Sequence, residues 1–191
     1  MSQLAADQYG TSTFRSMLHD AKKIAKKSHV TPEQLAAIQD QLGRVPRGVV
    51  EVAASCSCGA PQVVKTAPRL PDGTPFPTLY YLTHPGIASA VSRLEADGLM
   101  RDFNDRLVAD PQFAEAYAGA HHAYLADREH LRQRLKLEVP EIAGISSGGM
   151  PTRVKCLHAL VAHSLAAGPG VNPVGDEVLA AIGYQPDACI C

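Results

Sequence analysis

Three stretches of the chain gather side chains able to hold a soft metal or act as nucleophiles. Cys56 and Cys58 form a Cys-Ser-Cys-Gly unit, Cys156 stands within Arg153-Val-Lys-Cys-Leu-His158 with His163 following, and Cys189 and Cys191 form Cys-Ile-Cys. Two neighbouring thiolates can share one soft ion, and a glycine after them lets the backbone turn so that N–H groups face sulfur. The one-residue gap between Cys56 and Cys58 is shorter than the usual two-residue gap of zinc hairpins, so the unit also reads as two small residues in a tight turn. Five cysteines is an odd number, and in a reducing compartment they read as free thiols or metal ligands rather than disulfides.

The stretch from Arg153 to His163 packs Arg, Lys, Cys and two His into a pattern otherwise suited to a core helix. Taken as one helix, it places Arg153, Cys156, Leu160 and His163 on one face and turns His158 about 200° away from Cys156. Cys156 and His163 would then lie roughly 10.5 Å apart along the axis, too far to share an ion, so one would ligate and the other support it. Just ahead, Ser146-Ser-Gly-Gly-Met-Pro151 reads either as an ordinary loop or as an anion nest, in which Gly148 and Gly149 free backbone N–H groups beside Arg153 and Lys155. The Gly-Lys-Ser/Thr ending of a phosphate-binding P-loop is absent. His84 ends a strand before Pro85, where it could reach a cleft or sit in a turn, and His121 reads as a core histidine. Cys189 and Cys191 read as exposed tail thiols or as ligands that clamp the tail.

Thr31-Pro-Glu-Gln34 is an N-cap, a proline at the first helical position and a capping-box glutamine, which predicts a helix over about 32–42 ending at Gly43. Residues 48–55, 62–66 and 78–83 are rich in β-branched and aromatic residues and are separated by turn formers, which predicts a three-stranded antiparallel meander. From His84 onward the pattern is helical. One helix runs to about Met100, and Asp110-Pro111 opens a longer one with a stripe of Phe113, Tyr117, His121, Tyr124, Arg128, Leu131 and Leu135. Pro151 precedes a helix ending at Gly168, and Asn172-Pro173 opens the last one, to about Ile182.

The chain has 191 residues, 46% hydrophobic and 19% charged, enough apolar material for one well-packed domain and too little charge for disorder. A formal net charge of -1 argues against a nucleic-acid partner. No apolar run approaches the roughly 18 to 20 residues that span a bilayer, and no signal-peptide stretch opens the chain, so it reads as cytoplasmic with no transmembrane segment. Residues 1–30 carry Arg15, Lys22, Lys23, Lys26 and Lys27 against Asp7 and Asp20, opposite Phe14, Met17, Leu18, Ala21, Ile24 and Ala25. This reads as a flexible or solvated extension, or as a basic amphipathic arm for a membrane surface or an acidic partner.

The segments Gln41–Gly48, Thr66–Thr83, Gly148-Gly-Met-Pro151, Arg153-Val-Lys-Cys-Leu-His158 and Gly168-Pro-Gly-Val-Asn-Pro173 resemble a bacterial family known as domain of unknown function 501. The likeness covers about residues 31–180 and leaves out residues 1–30 and the tail after about 183. It implies a small cytoplasmic protein and brings no established activity.

The reading that results is an α+β domain over 31–183, with a small antiparallel sheet followed by a helical half, an N-terminal extension over 1–30 and a cysteine-containing tail over 184–191. Cys56, Cys58, His84 and Cys156 are expected to form a metal site, with His158 and His163 as supports or alternates. Three thiolates and one imidazole suit zinc, and an iron-sulfur centre is the alternative cofactor. The rival reading is an enzyme or sensor in which Arg69, Arg153, Lys155 and the Gly148-Gly149 loop hold a phosphate or carboxylate, Cys156 is a reactive thiol, and His158 or His163 acts as base.

Overall fold

A computed structural model describes residues 19, 20, 22, 24–189 and 191. Phe14, Arg15, Met17, Leu18, Ala21 and Lys23 of the proposed arm lie outside these residues.

Helix α1, Pro32–Leu42, begins at the capping box expected of Thr31 and Gln34: Thr31 Oγ1 accepts from Gln34 N at 3.2 Å, and Gln34 Oε1 accepts from Thr31 N at 3.0 Å. It stops at Gly43, whose left-handed backbone tolerates no Cβ cheaply. Strands β1 (Val49–Ser55), β2 (Pro61–Thr66) and β3 (Tyr80–Leu82) form one antiparallel sheet in the order β1-β2-β3. The central strand is buried almost throughout, flanked by β1 and β3 and in contact with α1 and with the later helix over residues 157–167.

The helical half starts with α2, Pro85–Ala96, capped by His84. The single helix expected to reach Met100 is broken: Gly98 sits at φ 93, and a separate helix α3 spans Leu99–Ala109 with Phe103 buried. A residue at positive φ cannot continue a right-handed helix, and only glycine takes that conformation without strain. Asp110 caps α4, Pro111–Leu135, by accepting from the N–H groups of Gln112 and Phe113, and all seven residues of the expected stripe are buried. After a short 3-10 turn at Pro140–Ile142 come α5, Leu157–Ala167, and α6, Pro173–Ala181, the latter capped by Asn172.

Tyr117 and Tyr124 of α4, Val50 and Val63 of the sheet, and Leu157, Leu160 and Val161 of α5 form one continuous core. Arg128, on the same stripe, is 6% exposed and points its guanidinium at three carbonyls, those of Pro77, Ile142 and Ile145. It thereby fastens the loop before β3 to the loop before α5, using the charge-assisted bonds a buried arginine requires. Packing also reaches back before α1: Ile24 is buried in the core, and His29 N donates to Val50 O at 2.7 Å. Among the described residues, no helix is long and apolar enough to cross a membrane.

Candidate metal centre

The link between β1 and β2 is a tight turn closed by Gly59 N donating to Cys56 O at 2.8 Å, and Cys56 N donates to Ala60 O at 2.8 Å. Gly59 sits at φ 89, which is the conformational reason a glycine follows the two cysteines. The turn buries Cys56 and leaves Cys58 exposed. The chain end comes to the same place. Tyr184, just past α6, donates its hydroxyl to Gln62 Oε1 at 3.1 Å, which pins the tail to the start of β2. A turn follows, with Ala188 N donating to Gln185 O, and Cys189 and Cys191 meet the hairpin.

The sulfurs of Cys56, Cys58, Cys189 and Cys191 all lie within 4.8 Å of one another, so these four cysteines are placed to hold one metal ion. Cys58 Sγ and Cys191 Sγ are 3.2 Å apart. The Cys191 thiol is held well above the ordinary thiol range, first by its hydrogen bond with Cys58 and then by burial and by Cys56 and Cys189. Crowded thiols retain their protons because each negative charge opposes the next; a divalent cation reverses that balance.

His84, 1% exposed, caps α2 and places Nε2 3.3 Å from Cys191 Sγ. Its Nδ1 accepts from Ile87 N. With Nδ1 accepting, the ring proton sits on Nε2, and His84 donates to the Cys191 sulfur.

Cys156 was expected beside Cys56 and Cys58, and the structure places it in a different group, with Glu95 and His158. The two groups lie at opposite ends of α2. His84 caps its N-terminus and Glu95 sits in its last turn, eleven positions or roughly 16 Å further along the axis. The helix assumed for residues 153–163 also starts later. Pro151 follows two glycines at positive φ, residues up to Cys156 are not helical, and Cys156 is the extended residue ahead of α5. Arg153 and Cys156 therefore do not share a helix face with His163. In the actual geometry the ligand-bearing atoms of Cys156, His158 and Glu95 lie within 4.8 Å of one another.

His158 Nδ1 is 3.1 Å from Glu95 Oε1, and Nε2 is 3.1 Å from Ala88 O and 3.2 Å from Ser92 Oγ. Ala88, Ser92 and Glu95 are spaced four and three apart, one stripe of α2 facing the imidazole. The His158 pKa is raised to about 9, first by its hydrogen bond with Cys156, then by its contact with Glu95, against the opposing effect of burial. Glu95 gives no sequence signal. It joins the group only because α2 packs against the start of α5, where Glu95 Oε1 accepts from Leu157 N at 2.6 Å.

His163 belongs to neither group. It is fully buried, stacked on Tyr80 with centroids 5.7 Å apart and edge-on to Tyr124 at 5.2 Å, and its Nδ1 meets Asn172 Nδ2 at 3.2 Å. Burial depresses its pKa to about 4. Of the residues expected to hold an anion, Gly148, Gly149, Arg153 and Lys155 stay together in one loop, while Arg69 is engaged elsewhere. Arg69 is engaged by the carbonyls of Glu138 and Gly73 and by the Glu141 carboxylate. The Gly148-Gly149 loop folds onto its own continuation, Gly148 O accepting from Lys155 N at 2.7 Å and Gly149 O from Arg153 N at 3.2 Å, with both basic side chains exposed.

The chain matches the family described as protein of unknown function (DUF501) over residues 52–180, more than half its length, and belongs to that family. Cys56, Cys58, His84, Glu95, Cys156 and His158 fall within the matched stretch; Cys189 and Cys191 fall beyond it. No curated protein and no solved structure matches the chain.

Proposed function

We propose that this member of the family binds a zinc ion through the thiolates of Cys56, Cys58, Cys189 and Cys191, which ties the tail beyond α6 to the β1–β2 hairpin. The observation that carries the reading is the mutual approach of four sulfurs to within 4.8 Å. Zinc–sulfur bonds of about 2.3 Å in a tetrahedron set sulfurs about 3.8 Å apart. That spacing supports a single ion over a polynuclear iron-sulfur centre, whose own sulfides and irons would hold the cysteines further apart. Four thiolates close the shell, so the centre is structural, and metal binding contributes directly to folding free energy. His84 supports the shell by donating to the Cys191 sulfur, the outer hydrogen bond that thiolate ligands favour.

A second arrangement has one specific observation in its favour: the 3.3 Å contact of His84 Nε2 with Cys191 Sγ also suits a shell of three thiolates and His84, with Cys189 outside. The bond from Ile87 N to His84 Nδ1 weighs against it, because a ring that accepts at Nδ1 keeps its proton at Nε2. Elemental analysis of purified protein and its variants separates them. Cys58→Ser and Cys191→Ser are expected to lower zinc content by one equivalent. Cys189→Ser should do the same while His84→Ala retains the metal; the opposite pattern assigns His84 to the shell. Unchanged zinc content in Cys58→Ser and Cys191→Ser would sink the proposal.

A further inference from the structure

Glu95, Cys156 and His158 present three different donors, a carboxylate oxygen, a sulfur and an imidazole nitrogen, within 4.8 Å of one another. Glu95 lies on α2, His158 on α5, and Cys156 is the extended residue directly ahead of α5. The outer contacts are those of a held ligand set. His158 directs Nε2 at the Ala88 carbonyl, 3.1 Å away, which places a proton there and turns Nδ1 towards Glu95. Locking one ring nitrogen on a backbone carbonyl so that the other faces the ion is how metal-bound imidazoles are oriented. Glu95 is fixed in turn by the N–H of Leu157.

Cys156 and His158 also line a cavity of about 460 Å³, together with Tyr80, Tyr81 and Ser147. Of the three donor residues, Cys156 and His158 border the cavity and Glu95 does not. The volume lies within the range of small-molecule sites.

We propose that Glu95, Cys156 and His158 form a second divalent-metal site, of zinc type, with one coordination position open to this cavity for water or for an oxygen of a small anionic ligand. The donor set of one thiolate, one imidazole and one carboxylate fits zinc or cobalt better than magnesium or calcium, which prefer oxygen alone. Three protein ligands and an open position distinguish it from the closed four-thiolate shell, on which it does not depend. When the ion enters, it takes the place between Nδ1 and the carboxylate that a proton otherwise occupies, and that proton and the proton of the Cys156 thiol both leave to solvent.

The test is titration of metal-stripped protein with cobalt(II), followed by absorption, with azide as a probe of open coordination. Wild type is expected to bind two equivalents, and azide to shift the cobalt bands. Glu95→Gln and Cys156→Ser should each bind one equivalent and lose the azide response. Cys191→Ser should keep one equivalent and keep the response, which separates failure of this site from failure of the four-cysteine centre. Glu95→Gln preserves size and the acceptor for Leu157 N, so it guards against loss of fold in Cys156→Ser. Stoichiometry unchanged in both Glu95→Gln and Cys156→Ser, or wild-type cobalt bands indifferent to azide, would overturn the proposal.

Discussion

Cys58 and Cys191 stand 133 positions apart in the chain and 3.2 Å apart at their sulfurs. Such a contact closes most of the fold into one loop. The entropy lost in bringing those ends together falls on the folded chain unless something binds there, and a metal shared by the two cysteines would supply the compensating free energy.

Chelation should therefore unfold the protein more readily. With metal present at about a hundred times its dissociation constant, linkage predicts a contribution of about 3 kcal/mol to stability. Thermal melts with and without a strong chelator, repeated with Cys191→Ser, check this. Chelator is expected to lower Tm in the wild type and to have a smaller effect in the variant, which has already lost the centre. Equal shifts in both would remove the link between these cysteines and stability.

His163 makes stability depend on pH in a direction the structure sets. Its folded pKa of about 4 lies below the ordinary histidine value of 6.5, because burial between Tyr80 and Tyr124 disfavours the charged ring more than Asp127 and Asp176 favour it. The unfolded chain then binds more protons between those two values, so stability is full above pH 6.5 and declines as pH falls towards 4. The loss amounts to about 3 kcal/mol at most. Urea unfolding at a series of pH values should show that decline in the wild type and a flatter one in His163→Phe. Identical pH slopes would contradict the assignment.

Arg128 joins three loop carbonyls from a buried position on α4. Arg128→Met keeps the bulk of the stem and removes the charge-assisted bonds, leaving buried acceptors unpaired. A loss of about 3 kcal/mol is expected from urea denaturation. A change below ~0.5 kcal/mol would mean that water replaces the guanidinium at those carbonyls.

Local chemistry explains which features were legible in the sequence. Thr31 with Gln34, Asp110-Pro111 and Asn172-Pro173 each carry a complete helix-start signal within a few residues, and each opens a helix where expected. The α4 stripe reports its burial through spacing alone, as does the three-stranded sheet through its β-branched runs. Two boundaries depart from the hydrophobic spacing for local reasons: Gly98 adopts a positive φ that splits α2 from α3, and two glycines with Pro151 delay α5 to Leu157.

The grouping of donors was a different matter, since it depends on contacts between residues far apart in the chain. The cysteines at 56 and 58 were visible as a pair, yet their neighbours are set by the path of the tail past Tyr184, which brings Cys189 and Cys191 to the hairpin. Cys156 was visible as a candidate, yet the length of α2 separates it from that hairpin and delivers it to Glu95 instead. Periodicity records which face of an element is apolar; it carries no record of which two elements touch, because that choice is made by packing across the core.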